Sequence, residues 1–266
     1  RVINGDTAVN PYGWGTRGSR TTCIDGQATH IAALEAREML FRGAAELLEC
    51  DASDLDAREG QIFVKSSPEK RIPHSEAYMK IYNKEGSEAV YTAASYDSPS
   101  ENPDPKTGYG NWSAAYSFGA KAAEVEVDTE TGAVEVLRII STNDAGTVVN
   151  PAGAAGQLEG GVLMGVGYAL MEDFQAEDGQ PVNPTWLDYK LPTTLDVPKL
   201  ETVLIETESP AGPYGAKGLG EMVQLATSAA IANAVYDAVG VRIKSLPITS
   251  EKVLAGLIEN GANGAS

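Results

Sequence analysis

Cysteine and histidine are almost missing from this 266-residue sequence, which holds only Cys23, Cys50, His30 and His74. Two cysteines outside any CxxC pair cannot carry an iron–sulfur cluster or a Cys-based zinc site. At most one disulfide could form, so a reduced, cytoplasmic setting is the simplest reading. With so few imidazoles, a transition-metal centre built from side chains alone is not expected. Basic charge is scarce as well: 20 Lys and Arg stand against 37 Asp and Glu, a formal net charge of −17. That balance argues against nucleic acid or an anionic membrane surface as partner. No apolar run reaches the roughly 18 residues of a membrane span. The opening Arg1-Val-Ile-Asn-Gly-Asp6 lacks the profile of a signal peptide, and it also lacks an initiator Met, as would a processed chain or one that starts late in its gene.

What is present suits a folded protein. Hydrophobic residues make up 42% of the chain, and this length can bury a core in one or two compact lobes. Ile31, Leu34, Phe41, Ala45 and Leu48 recur at helical spacing opposite Glu35, Glu38 and Arg42, predicting a long helix over 25–49. Residues 55–65, broken at Glu59-Gly60, read as a hairpin, and 74–84 as a short helix. A polar Pro/Gly loop fills 97–113. Glu124, Glu126 and Asp128 alternate with Val125 and Val127 before a Thr129-Glu-Thr-Gly132 turn, so a strand pair over 124–140 with a solvated acidic face is expected. Further elements are a glycine-crowded helix over 157–171, a strand at 200–206, an Ala-rich buried helix at 222–239 and a last helix from Thr249 to near Gly261. The mixture predicts an α+β fold with mixed sheets and packed helices, in two lobes: 1–119 with the long helix, and 120–266 with the glycine-rich helix.

Three glycine-rich segments, far apart in sequence, stand out as ones that could carry chemistry. The first, Gly13-Trp-Gly-Thr-Arg-Gly-Ser-Arg-Thr-Thr22, runs straight into the long helix. Backbone amides there, with Ser19, Arg20, Thr21 and Thr22, could receive an anion such as phosphate, or the loop could simply cap the helix. The second runs from Asn150-Pro151 through Gly156-Gln-Leu-Glu-Gly-Gly161 to Gly165-Val-Gly-Tyr168. It has neither a Walker Lys-Ser/Thr pair nor the placing of a dinucleotide fingerprint. Each helical glycine costs about 1 kcal/mol relative to Ala, so another backbone or a ligand should approach closely, and Gln157 is the polar side chain best placed to meet it. The third, Ser209-Pro-Ala-Gly-Pro-Tyr-Gly-Ala-Lys-Gly-Leu-Gly-Glu-Met222, presents one carboxylate, Glu221, at the start of an apolar helix. That carboxylate could complement the helix dipole or act as a buried general base.

Taken together, these segments resemble a known family. Gly215-Ala-Lys-Gly-Leu-Gly-Glu221, the stretch from Ala229 to Thr249, Glu251-Lys-Val-Leu254, Val125-Glu-Val-Asp-Thr-Glu-Thr-Gly132, Asn150-Pro151, Gly156–Gly161, Gly165–Leu170 and Asp188-Tyr-Lys-Leu-Pro-Thr193 are similar, in order, to the molybdenum subunits of xanthine-oxidase-type hydroxylases. The Gly18-Ser-Arg-Thr-Thr22 loop resembles a pterin-contacting loop of these proteins. The likeness is collinear from about residue 13 to 254 and corresponds to the C-terminal half of the molybdenum-cofactor domain.

The resemblance implies a metal held by a pterin dithiolene rather than by side chains. It makes Glu221 the base that takes a proton from the molybdenum-bound hydroxyl as that attacks an electrophilic carbon, so that the oxygen in the product comes from water. It places Gly18, Ser19, Arg20 and Thr21 at the pterin or its phosphate, Gln157 near the nucleotide end of a cytosine dinucleotide form, and Ala216, Lys217 and Gly218 along the cofactor. Tyr214 would touch substrate, or serve packing alone. It also implies a larger molybdenum subunit supplying the rest of the domain, and iron–sulfur and FAD subunits to take electrons, as in split nicotinate-dehydrogenase-like enzymes. An N-heteroaromatic substrate such as nicotinate or a purine is expected. An aldehyde oxidoreductase, a reductive or hydratase-type relative, and a non-catalytic scaffold half are the alternatives.

Overall fold

The computed structural model describes residues 2–83 and 89–264. Contacts group the chain into two units: residues up to Trp14 with Ile24–Ser98, and Gly15–Cys23 with the chain from Pro99 onward. The division expected at 119/120 thus falls at 98/99, and the glycine loop expected in the first lobe groups with the second unit. The physical reason is that Ser19 bonds to backbone around residue 221, a contact invisible to local pattern.

In the first unit, helix α1 (Thr21–Leu48, its first three residues grouping with the second unit) packs on a three-stranded antiparallel sheet. The sheet is formed by β1 (Leu55–Arg58), β2 (Gln61–Val64) and β3 (Ser67–Pro73), followed by α2 (His74–Tyr82). The expected hairpin is present, and its two turn residues Glu59 and Gly60 have φ 51° and 77°, the left-handed pair that matches strand twist in a two-residue turn. The core joins Phe41, Ala44 and Leu48 of α1 to Leu55, Ile62, Val64, Ile72 and Ala77. Helix α1 begins four residues before the predicted start. Strand β3 was not predicted: in a stretch rich in charge and bounded by prolines only Ile72 is buried, as befits an edge strand. The short helix matches, and residue 84, its predicted end, lies outside the described residues.

The second unit is a sheet covered by helices. Strands β4 (Gly119–Val127) and β5 (Val134–Asp144) are antiparallel, and β8 (Lys199–Ile205) pairs parallel to β5. A small hairpin, β6 (Ala176–Glu177) and β7 (Gln180–Pro181), lies between. Glu124, Glu126 and Asp128 are exposed, as the alternation predicted. The opposite face, with Val125, Val127, Val136 and Ile139, packs against α3 (Pro151–Leu170), α4 (Thr227–Val239) and α5 (Ser250–Gly264) through Val162, Val166, Ile231, Val235 and Val253. Helix α3 starts six residues before the predicted start because Asn150 caps it, its side chain accepting from the Gly153 N–H at 3.0 Å, with Pro151 at the first helical position. Helix α4 starts five residues late, since 222–226 form turns ending at Ala226 with φ 66°. Helix α5 runs to Gly264, past Gly261. The α+β class with mixed sheets and five helices is as predicted. No helix among the described residues is long and apolar enough to cross a membrane.

Candidate active site

The fold brings the three glycine-rich segments together inside the second unit. Ser19 adopts the left-handed region (φ 57°), following Gly18 at φ 59°, and such strain in a non-glycine residue persists only where surroundings enforce it. Here the enforcement is visible. Ser19 Oγ accepts hydrogen bonds from the backbone N–H of Glu221 at 2.7 Å and of Met222 at 3.3 Å. A β-carbon on Gly218 would collide with the Ser19 carbonyl oxygen, so only glycine lets these two backbones meet. Cys23, one turn into α1, donates from Sγ to the Ala211 carbonyl at 3.4 Å, and burial pushes its thiol above the usual range.

The second segment reaches the same point. Gln157 Nε2 donates to the Gly220 carbonyl at 2.8 Å. Further along α3, added β-carbons on Gly161 and Gly165 would strike Val223 and Thr227, so close packing of backbone on side chain accounts for these two glycines. Gly156 and Gly160 face open space.

The third segment is anchored from below. The Lys217 ammonium, 8% exposed, lies 2.5 Å from Asp144 Oδ2, and Asp144 is itself 4% exposed. Asp144 Oδ1 accepts from the N–H groups of Gly146 (3.0 Å) and Thr207 (3.2 Å). Burial alone would raise the Asp144 carboxyl, but the Lys217 ammonium and the two N–H groups outweigh it and hold the group below the usual carboxylate range. The Lys217 N–H donates to Ala145 O at 2.8 Å, while Gly215 O accepts from both Thr147 and Ser209. The end of β5, the segment after β8 and the glycine-rich turn are thus tied into one mount.

Against the sequence expectations the placement is mixed. Gly18, Ser19, Arg20, Thr21, Gln157 and Glu221 come together or lie on the segments that do. Among the described residues the Arg20 guanidinium has no ion-pair or hydrogen-bond partner, and α1 has no acidic residue in its first turn. Glu221 is exposed in this chain rather than buried, because it crests the loop above Ser19. Ala216, Lys217 and Gly218, expected along a cofactor surface, are all buried in the mount, and the Lys217 ammonium is committed to Asp144. Gln157 is turned onto the Gly220 carbonyl. Tyr214 is 74% exposed with φ 54°. Asp144 was missed by sequence reasoning: it lies 73 residues from Lys217, and no local pattern links them. Among the described residues no cluster of His, Cys, Asp and Glu could hold a metal ion.

The family model for the molybdopterin cofactor-binding domain matches residues 1–198. The gamma subunit of the 6-hydroxypseudooxynicotine dehydrogenase complex of Paenarthrobacter nicotinovorans is 35% identical over 259 residues, covering 96% of this chain and 31% of that protein. The putative xanthine dehydrogenase molybdenum-binding subunit of Escherichia coli strain K12 is 34% identical over 268 residues, covering 97% of this chain and 34% of that protein. Among solved structures, the Cu,Mo-containing CO dehydrogenase in its carbon monoxide reduced state superposes with TM-score 0.80 at 30% identity, over 96% of this chain and 31% of that one. Quinoline 2-oxidoreductase from Pseudomonas putida 86 does so with TM-score 0.78 at 31% identity, over 95% of this chain and 32% of that one. The chain therefore spans about a third of the length of the relatives it matches. It belongs to the molybdopterin cofactor-binding domain family, in the form carried by the molybdenum subunits of xanthine-dehydrogenase-type oxidoreductases.

Proposed function

We propose that this chain supplies the base-bearing part of the molybdenum subunit of a hydroxylase that inserts water-derived oxygen at an electrophilic carbon of an N-heteroaromatic substrate. The carrying observation is that Ser19 and Gln157 hold the backbone of the 218–222 loop, through the Glu221 and Met222 N–H groups and the Gly220 carbonyl, in the loop that carries the exposed Glu221. Ser19, strained at φ 57° and bonded to the backbone of this loop, favours a functional loop over a mere scaffold.

The donor set fits a pterin that ends in phosphate. Gly18 faces open space, the start of α1 offers free N–H groups and the hydroxyls of Thr21 and Thr22, and Arg20 brings a cation without a carboxylate among the described residues. A long helix N-terminus beside a guanidinium favours an anion. Gly18, Ser19, Arg20 and Thr21 would hold the pterin and its phosphate, Gln157 and the open α3 face at Gly156 and Gly160 would border a cytosine dinucleotide, and Tyr214 would meet substrate. Ala216, Lys217 and Gly218 would support this cofactor edge from beneath. When bound, the molybdenum–pterin group supplies the redox chemistry and the acidification of water. The residues of this chain do the rest: the Ser19 hydroxyl fixes the Glu221 backbone, and the Glu221 carboxylate accepts the proton of the attacking water-derived oxygen.

The remainder of the molybdenum subunit, iron–sulfur and FAD subunits, and a cytoplasmic setting complete the proposal. Tyr109 (84% exposed), Trp112 (71%) and Phe118 (75%) lie bare on one stretch without regular structure, the kind of surface that another part of a larger protein covers. Nicotine, xanthine and quinoline, named in relatives, are nitrogen heterocycles, and this supports the substrate class. The test is Glu221→Gln in the complete enzyme: molybdenum and released CMP should stay at wild-type levels while turnover of heterocycles falls at least about 1,000-fold. An active variant would end the base assignment, and turnover of aldehydes alone would end the heterocycle reading.

A further inference from the structure

Beside the Asp144 mount, the inner face of the β4–β5 sheet ends on a lysine that the reading above does not use. Along β4 the inward row runs Val127, Val125, Ala123 and then Lys121; the first three pack against the core and the last is half-buried. Opposite it on β5 stands Ser141, with Asn143 two residues further along the strand, each 1% exposed. Lys121 Nζ donates to Ser141 Oγ, and to Asn143 Oδ1 at 2.9 Å. The Ser141 hydroxyl donates in turn to Asn143 Oδ1 at 3.2 Å, so its lone pairs face the amine. Both acceptors are neutral. The adjoining carboxylate, Asp144, is occupied by Lys217.

A surface lysine that merely covers apolar area keeps its head in water; this one is drawn onto two buried oxygens instead. Burial without a counter-charge lowers the amine to about 8. An amine that gives two N–H groups to neutral oxygens has one valence left, and in the neutral form that valence is its lone pair, free for an electrophile. We propose that Lys121 is a nucleophilic amine and a site of N-acylation by small activated acyl donors. In the step, the Nζ lone pair attacks the acyl carbon and an N–C bond forms. The bond to the leaving group breaks, phosphate or thiolate departs with its electron pair, and one N–H proton passes to solvent. The amide product keeps one N–H, so one of the two hydrogen bonds to Ser141 and Asn143 is given up and the positive charge is lost.

The test uses the complete native enzyme, labelled with acetyl phosphate at neutral pH and analysed by peptide mass spectrometry. Lys121 should be acetylated at least about ten times faster than the exposed Lys70 and Lys106, as a larger neutral fraction requires. The same preference with a small acetyl thioester would support attack on the acyl carbon; preference confined to acetyl phosphate would indicate phosphate capture and overturn the proposal. Equal rates, or a Lys121 that reacts only after denaturation because another part of the protein covers or pairs it, would overturn it too. None of these outcomes depends on the role of Glu221.

Discussion

Ser19 Oγ lies 2.7 Å from the backbone nitrogen of Glu221, 202 residues further along the chain. One hydroxyl thereby satisfies two N–H groups, those of Glu221 and Met222, in a loop that has not yet become helix α4. Removing the acceptor takes from each donor a hydrogen bond whose net worth is about 0.5–1.5 kcal/mol. Ser19→Ala should therefore raise amide hydrogen exchange at Glu221 and Met222 by about ten-fold or more and lower turnover, while leaving exchange within β4 and β5 unchanged. Uniform loss of protection across the sheet would instead mark Ser19 as a general stability residue.

How much of this was legible in the sequence depends on the range of the interaction. The long helix, the Glu59-Gly60 hairpin and the acidic face of β4 are written in local periodicity and turn chemistry, and they are found where expected. The start of α3 was also legible, since Asn150-Pro151 is a cap and first-turn pair, yet the glycines beyond it hid the helix. The β5–β8 pairing is parallel and spans some sixty residues, as Arg138↔Lys199 shows, so no hairpin signal could announce it. The three glycine segments were recognisable one by one. What joins them, Ser19 to Glu221 and Gln157 to Gly220, belongs to the tertiary fold, and so does the commitment of Lys217 to Asp144.

That last pair carries a second prediction. Breaking a buried ion pair from one side strands a charge, at a cost of about 3–5 kcal/mol. Lys217→Met should therefore destabilise strongly. The double variant D144N/K217M should recover most of the loss, because its amide oxygen can still accept from Gly146 and Thr207 and no charge is stranded. Urea unfolding of the two variants decides the matter: equal losses would assign the cost to packing of the lysine stem rather than to charge.

The same pair sets a pH dependence. The folded-state carboxyl of Asp144 is held below its unfolded value, so its contribution to stability is complete above the ordinary carboxylate pKa of about 3.9. It is lost as the pH falls through the lower folded value. With the ammonium gone, the folded value rises, and acid unfolding of K217M should begin at higher pH than in the wild type. An unchanged acid midpoint, measured by circular dichroism, would show that the Gly146 and Thr207 N–H groups alone keep the carboxylate ionised.

The glycines of α3 divide into two kinds, and the division can be measured. A β-carbon at Gly161 would strike Val223, and one at Gly165 would strike Thr227, which is fully buried. Overpacking of this sort costs about 1–3 kcal/mol, more than the helix propensity gained. Gly156 and Gly160 meet nothing within 4 Å, so alanine there should stabilise the chain by up to about 1 kcal/mol. Thermal unfolding should move down for G161A and G165A and up for G156A and G160A. If the open pair is reserved for ligand, G156A and G160A should also lower the pterin content of the complete enzyme despite the stabler fold. A full pterin complement in both would leave those two glycines without a binding role, and the cofactor edge would then run along the Gly18–Thr21 loop alone.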